Sequence, residues 1–98
     1  MADFNLALEV NPEYTEAYYN RGFVYLGQGK LDQAVSDYSK AIAINPGYAV
    51  FYSNRAEAYF LKKEYGLSWE DARKAESLGY SVNPDFLKEL RKALGKEE

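Results

Sequence analysis

The 98-residue sequence contains no cysteine and no histidine. Without cysteine, the chain can form neither a disulfide framework nor a thiolate metal site. Without histidine, it lacks both the commonest catalytic base and the commonest metal ligand. We therefore expect no enzymatic activity, no metal site and no other cofactor.

Long apolar runs and a strong charge imbalance are also absent. The net charge is −3 and the isoelectric point is about 5.0, which argues against a general nucleic-acid binder. Apolar stretches are only a few residues long, and the N-terminus lacks the basic and apolar regions of a signal peptide. The composition predicts one domain over residues 1–98, with no membrane partner, and favours a cytoplasmic location.

Tyrosine is abundant, with ten tyrosines against five phenylalanines and one tryptophan. Many of these residues recur when the chain is shifted against itself by 34 positions. The matches in the first half of the overlap include Ala7 with Ala41, Pro12 with Pro46, Tyr18 with Tyr52, Asn20 with Asn54, Arg21 with Arg55, and Tyr25 with Tyr59. Further matches are Asp37 with Asp71, Lys40 with Lys74, and Ala41 with Ala75. Such a period indicates an array of similar structural units.

Each unit has the apolar spacing of two helices joined by a short turn. In the first unit, Gly29 favours the turn, Asp32 is a candidate N-cap for the second helix, and Pro46 stops that helix. Gly22 and Ala34 are small residues suited to a close helix crossing. The predicted helices cover residues 14–28, about 32–44, 49–62, 67–78 and 84–94.

These motifs resemble the tetratricopeptide repeat. The residues that carry the resemblance are Tyr18, Arg21, Gly22, Tyr25, Ala34, Tyr38, Ala41 and Pro46. The second copy departs from the pattern, with Ser68 and Ala72 in place of an alanine and an aromatic residue. The resemblance implies an all-α, right-handed superhelical stack of antiparallel helix pairs. Its expected parts are a half repeat at 1–12, repeats at 15–48 and 49–82, and a capping helix at 83–95.

In this family the first helix of each pair lines a concave face that usually binds a peptide or a partner segment. The resemblance therefore predicts a non-catalytic protein-protein interaction scaffold. Its expected partner-binding residues are Glu16, Tyr19, Asn20, Phe23, Ser53, Asn54, Glu57, Lys88 and Arg91. Leu87 is expected beside them. Tyr19 and Phe23 lie on one helical face and would offer an apolar anchor for a partner.

Residues 52–59 also resemble the co-chaperone domains that bind the C-terminal carboxylate of heat-shock chaperones. Asn54 matches one residue of that two-carboxylate clamp. The positions of two other clamp residues are occupied by Tyr19 and Phe23, which cannot replace a lysine and an asparagine. We therefore do not expect recognition of a chaperone tail.

The alternative to a binding scaffold is a self-associating structural module. The half repeat at 1–12 would leave Leu6 and Val10 without a covering helix, and a second copy could supply that cover. The turn before the second helix of repeat two has Gly66 at the position of Asp32. An ordinary hairpin is the first expectation there, and exchange of helices between copies about a Gly66 hinge is the alternative, with Trp69 as a possible subunit contact.

Overall fold

The computed structural model describes residues 15–95. They form five helices, and no strand occurs among them. The helices are α1 (Thr15–Gly27), α2 (Leu31–Ile44), α3 (Ala49–Leu61), α4 (Tyr65–Ser77) and α5 (Pro84–Leu94). The predicted all-α class is confirmed, and the half repeat predicted at 1–12 lies outside the described residues.

The helices pack in the order in which they follow one another along the chain. The most extensive contacts join α1 to α2 and α3 to α4, α2 then packs on α3, and α4 on α5. The overall extents are 49 × 26 × 16 Å, so the stack is elongated. Neighbour-to-neighbour packing with this elongation is typical of an α–α solenoid.

Three helices end in the same hydrogen-bonded turn. At the end of α1 the Lys30 N–H donates to the Tyr25 carbonyl at 2.9 Å, and at the end of α3 the Glu64 N–H donates to the Tyr59 carbonyl at 2.9 Å. The preceding residue is left-handed in both turns, with φ of 76° at Gly29 and 66° at Lys63. This geometry is the Schellman motif, and Gly79 takes the same place after α4, with φ of 94°.

The predicted starts of the two second helices were wrong by one or two residues. Lys30, and not Asp32, is the N-cap of α2, and its side chain makes no capping hydrogen bond. Asp32 lies in the first turn of α2, where it pairs with the ammonium group of Lys62 at the end of α3. Gly66 is the second residue of α4, so it lies within the helix. The predicted hairpin is therefore present, since α3 and α4 pack on each other within the chain.

Small residues allow the two helices of the first pair to approach closely. A Cβ atom added at Gly22 would lie 3.0 Å from Tyr38 Cε1, and both Ala34 and Tyr38 are fully buried. In the second pair the Ala72 methyl replaces the tyrosine ring, and the buried Ser68 hydroxyl donates to the Ala56 carbonyl at 2.6 Å. This hydrogen bond gives the buried hydroxyl a partner in place of water.

One ion pair is repeated in both helix pairs. Arg21 Nε donates to Asp37 Oδ2 at 2.7 Å, and Arg55 Nε donates to Asp71 Oδ2 at 2.7 Å. A second hydrogen bond from each guanidinium makes both pairs bidentate, at 2.8 and 2.9 Å. Both aspartates are buried, so these pairs join first and second helices inside the stack.

Helix α5 packs on α4 of the second helix pair. The Asn83 side chain accepts a hydrogen bond from the Asp85 N–H at 2.8 Å, Pro84 starts α5, and Gly95 ends it with φ of 71°. Leu87 and Leu90 are buried against the second pair, whereas Lys88 and Arg91 are exposed. One apolar face and one polar face are what a terminal capping helix requires.

Candidate protein-binding surface

Two clefts lie along the face formed by the first helices and the capping helix. The C-terminal cleft has a volume of about 340 Å³ and lies between α3, α5 and the segment that precedes α5. Its lining residues are Ser53, Asn54, Glu57, Tyr80, Val82, Asn83 and Phe86. The structure thus brings together three of the predicted partner-binding residues in one cleft.

The N-terminal cleft has a volume of about 380 Å³ and lies between α1, the start of α3 and the loop that joins the two repeats. It is lined by Thr15, Glu16, Tyr19, Asn20, Asn45, Tyr48, Val50 and Phe51. Three more predicted residues, Glu16, Tyr19 and Asn20, therefore share this second cleft.

Aromatic rings form a continuous wall along the N-terminal cleft. The Tyr19 ring centroid lies 6.4 Å from that of Phe23 and 5.3 Å from that of Phe51. Phe51 in turn lies 5.0 Å from Tyr48. Phe51 is buried, whereas Phe23 is 57% exposed and Tyr48 is 55% exposed. The buried Phe51 ring therefore supports the exposed Tyr48 ring, and Tyr19 supports the exposed Phe23 ring.

Polar groups on α3 connect the two clefts. Asn54 Nδ2 donates a long hydrogen bond of 3.5 Å to the Tyr38 hydroxyl, and Asn54 also interacts with the Tyr19 hydroxyl. Burial raises the pKa of Tyr19, and the nearby Tyr80 raises it further. Because Tyr19 lines the N-terminal cleft and Asn54, which interacts with its hydroxyl, lines the C-terminal cleft, the two clefts adjoin and form one surface. We call this surface the concave face.

Each cleft has one carboxylate in its lining. Among the residues that the structure describes, Glu16 is the only charged residue that lines the N-terminal cleft, and Glu57 is the only one that lines the C-terminal cleft. Both carboxylates belong to exposed residues. Glu57 lies close enough to Tyr38 to contribute to the raised pKa of that phenol.

The remaining predicted residues lie outside the two clefts. Phe23 extends the aromatic wall by its contact with Tyr19. Lys88 lines neither cleft, and Arg91 places its guanidinium over the Trp69 ring at 5.9 Å. Leu87 belongs to the buried core cluster, so it is not available to a partner in this fold. The half-buried Trp69 packs within that same cluster.

Sequence reasoning missed the far wall of the C-terminal cleft. That wall consists of Tyr80, Val82, Asn83 and Phe86. Tyr80 stands where the first repeat has Pro46, and this departure was the available signal that the chain takes a different path there. Phe86 falls 34 residues after Tyr52, and this register does not reveal that its ring centroid lies 5.3 Å from that of Phe60.

Within residues 15–95 no group of three or more acidic side chains could hold a metal ion. No helix in this part of the chain is long and apolar enough to span a bilayer.

These features define an all-helical repeat protein. Residues 15–48 match the tetratricopeptide repeat family, and the five helices fit the arrangement of such repeats. The predicted recognition of this repeat is thereby confirmed, and no curated protein matches the chain. Tetratricopeptide repeats generally mediate protein–protein interactions, and they are typically non-catalytic modules.

Proposed function

We propose that this protein is a non-catalytic scaffold that binds an extended peptide or partner segment along its concave face. The observation that carries the proposal is the continuity of the two clefts across α1, α3 and α5. Six of the nine residues expected at the binding site line these clefts, and a seventh, Phe23, contacts Tyr19.

The chemistry of the face suits a peptide. Aromatic rings offer apolar anchors, and the side chains of Ser53, Asn54 and Asn83 offer hydrogen bonds to main-chain groups. Each cleft is near the low end of the range for small-molecule sites, which is about 300–1,000 Å³. A cleft of this size accommodates one or two side chains of a bound segment.

The test begins with a library of random dodecamer peptides displayed on phage and selected on the immobilised full chain. Selected peptides are then synthesised, and their affinities are measured by fluorescence anisotropy. We expect Phe23→Ala and Tyr80→Ala each to weaken binding about tenfold, because truncating an aromatic anchor removes more than about 1 kcal/mol.

The matched control is Leu67→Ala, which removes an exposed apolar side chain that lines neither cleft. Circular dichroism confirms that all three variants keep their helices. Equal affinity of the three variants for the selected peptides would place the binding surface elsewhere. Failure to select any peptide above the background of the empty support would count against peptide binding itself.

A further inference from the structure

The chemistry of the two clefts identifies the kind of partner segment that fits them, provided that the proposed function holds. Each cleft presents one carboxylate beside aromatic rings, Glu57 with Tyr80 and Phe86, and Glu16 with Tyr19 and Tyr48. No lysine or arginine lines either cleft within the described part of the chain.

Neither Glu16 nor Glu57 takes part in an ion pair within the described residues 15–95. The residues one helical turn further on, Asn20 and Leu61, carry no charge and cannot act as helical partners. These two charges therefore remain available to a ligand.

The nearby cations are already engaged with other groups. Arg21 and Arg55 make bidentate pairs with buried aspartates. Lys62 lies between Asp32 and Glu64, and Arg91 stacks on Trp69. Lys88, an exposed lysine of α5, lines neither cleft, so a cation from a partner can meet Glu16 or Glu57 without breaking any of these contacts.

We infer that the concave face binds a basic peptide segment, with a lysine or arginine side chain inserted in the C-terminal cleft against Glu57 and a second cation at Glu16. A lysine or arginine has the right composition for such a cleft, because its methylene stem packs on apolar rings while its charged head reaches a carboxylate. The faces of Tyr80 and Phe86 add cation–π attraction.

An acidic segment fits this face poorly. An aspartate or glutamate in either cleft would lie near a like charge and would find no cation there to compensate for lost hydration. The concave face therefore discriminates against acidic peptides by repulsion as well as selecting basic ones by attraction.

The experiment uses the dodecamer library described above and counts charged residues in the selected peptides. We expect lysine and arginine to be enriched over the unselected library, and aspartate and glutamate to be depleted. The strongest peptide is then synthesised in two forms, as selected and with its enriched lysine or arginine replaced by methionine.

A double-mutant cycle locates the contact. Glu57→Gln and the methionine substitution should each weaken binding about fivefold, and the two together should weaken it by much less than the product. Glu16→Gln should also weaken binding of the unmodified peptide. Glu70→Gln is the matched control, because Glu70 is exposed on α4 and lines neither cleft.

The outcomes separate this inference from the proposed function. Two results would overturn the basic-partner inference and leave the proposed scaffold in place. In the first, the selected peptides lose affinity with Phe23→Ala but are neutral or acidic. In the second, the selected peptides bind Glu57→Gln as tightly as the parent chain. If Glu70→Gln weakened the binding of basic peptides as much as Glu57→Gln does, the effect of charge would be non-specific. That result would also overturn the basic-partner inference. Absence of any selected peptide would defeat both.

Discussion

At the scale of single residues, polar side chains inside the stack matter as much as apolar ones. Tyr38 is the clearest case, because its ring is fully buried against Gly22 while its hydroxyl reaches Asn54. Burial raises the pKa of Tyr38 to about 12. This value includes a smaller contribution from negative charge on Tyr19, Glu57 and Asp37, which face the ring from three helices, and the hydrogen bond with Asn54 opposes the rise.

This raised pKa predicts a loss of stability at alkaline pH. Tyr38 is neutral in the folded state up to about pH 12, whereas in the unfolded chain it ionises near its ordinary pKa of 10.0. The stabilisation from this group is therefore complete below about pH 10 and is lost as the pH rises through about 12. We expect the free energy of unfolding in urea to fall by an amount on the order of 1–2 kcal/mol from this residue.

Tyr38→Phe is the control for the nine other tyrosines, which are present in both proteins. The variant should lose less stability between pH 10 and 12 than the parent chain. Parallel losses in the two proteins would show that Tyr38 ionises normally in the folded state.

At the scale of elements, the turns between helices have the same backbone conformation in both repeats although their residues differ. Gly29 and Lys63 occupy equivalent positions, and both have positive φ angles. A side chain with a Cβ atom disfavours this conformation by about 1–2 kcal/mol, whereas glycine adopts it readily. The hydrogen bonds of the Schellman motif hold Lys63 in place in spite of this cost.

We therefore expect Lys63→Gly to stabilise the protein by about 0.5–1 kcal/mol, after allowance for the greater freedom of glycine in the unfolded chain. The reverse change, Gly29→Ala, should destabilise the protein by about 1 kcal/mol for the same reason. Urea unfolding of the three proteins provides the measurement. A destabilised Lys63→Gly variant would mean that the lysine side chain makes a contact worth more than the backbone strain.

The sequence predicted these elements well but not their exact beginnings. The 34-residue period placed all five described helices, and Pro46 and Pro84 marked an end and a beginning correctly. Asp32 was misassigned as an N-cap because the composition of a turn does not reveal whether an acidic residue caps its own helix. Here the carboxylate pairs instead with Lys62 of the next repeat, a contact 30 residues away along the chain.

At the scale of the whole molecule, the site was harder to predict than the fold. Repeat positions predicted that Glu16, Tyr19, Asn54 and Glu57 lie on one face, because the first helices of a regular stack share an orientation. The wall formed by Tyr80 and Phe86 breaks the repeat, so no periodic signal could place it. The pairing of Arg55 with Asp71 joins two residues that were each recognised as repeated, yet their contact required the packed helices to be seen.

The state of assembly is the prediction at this scale. Because α3 and α4 form a hairpin within one chain, we expect a molar mass near 11.2 kDa by light scattering over a wide range of protein concentration. A mass that grows with concentration would contradict this expectation. It would direct attention to residues 1–12 and to Gly66 as sites of association.

Helix α3 has a consequence for how the stack responds to an occupied face. Arg55 reaches back to the Ser39 hydroxyl at 3.0 Å and also holds Asp71, while its neighbour Asn54 touches Tyr38 of the preceding pair. Helix α3 thus makes stabilising contacts with residues of both repeats. A ligand that immobilises α3 would therefore bind the two repeats into a single cooperative unit, so that both would melt together rather than one after the other.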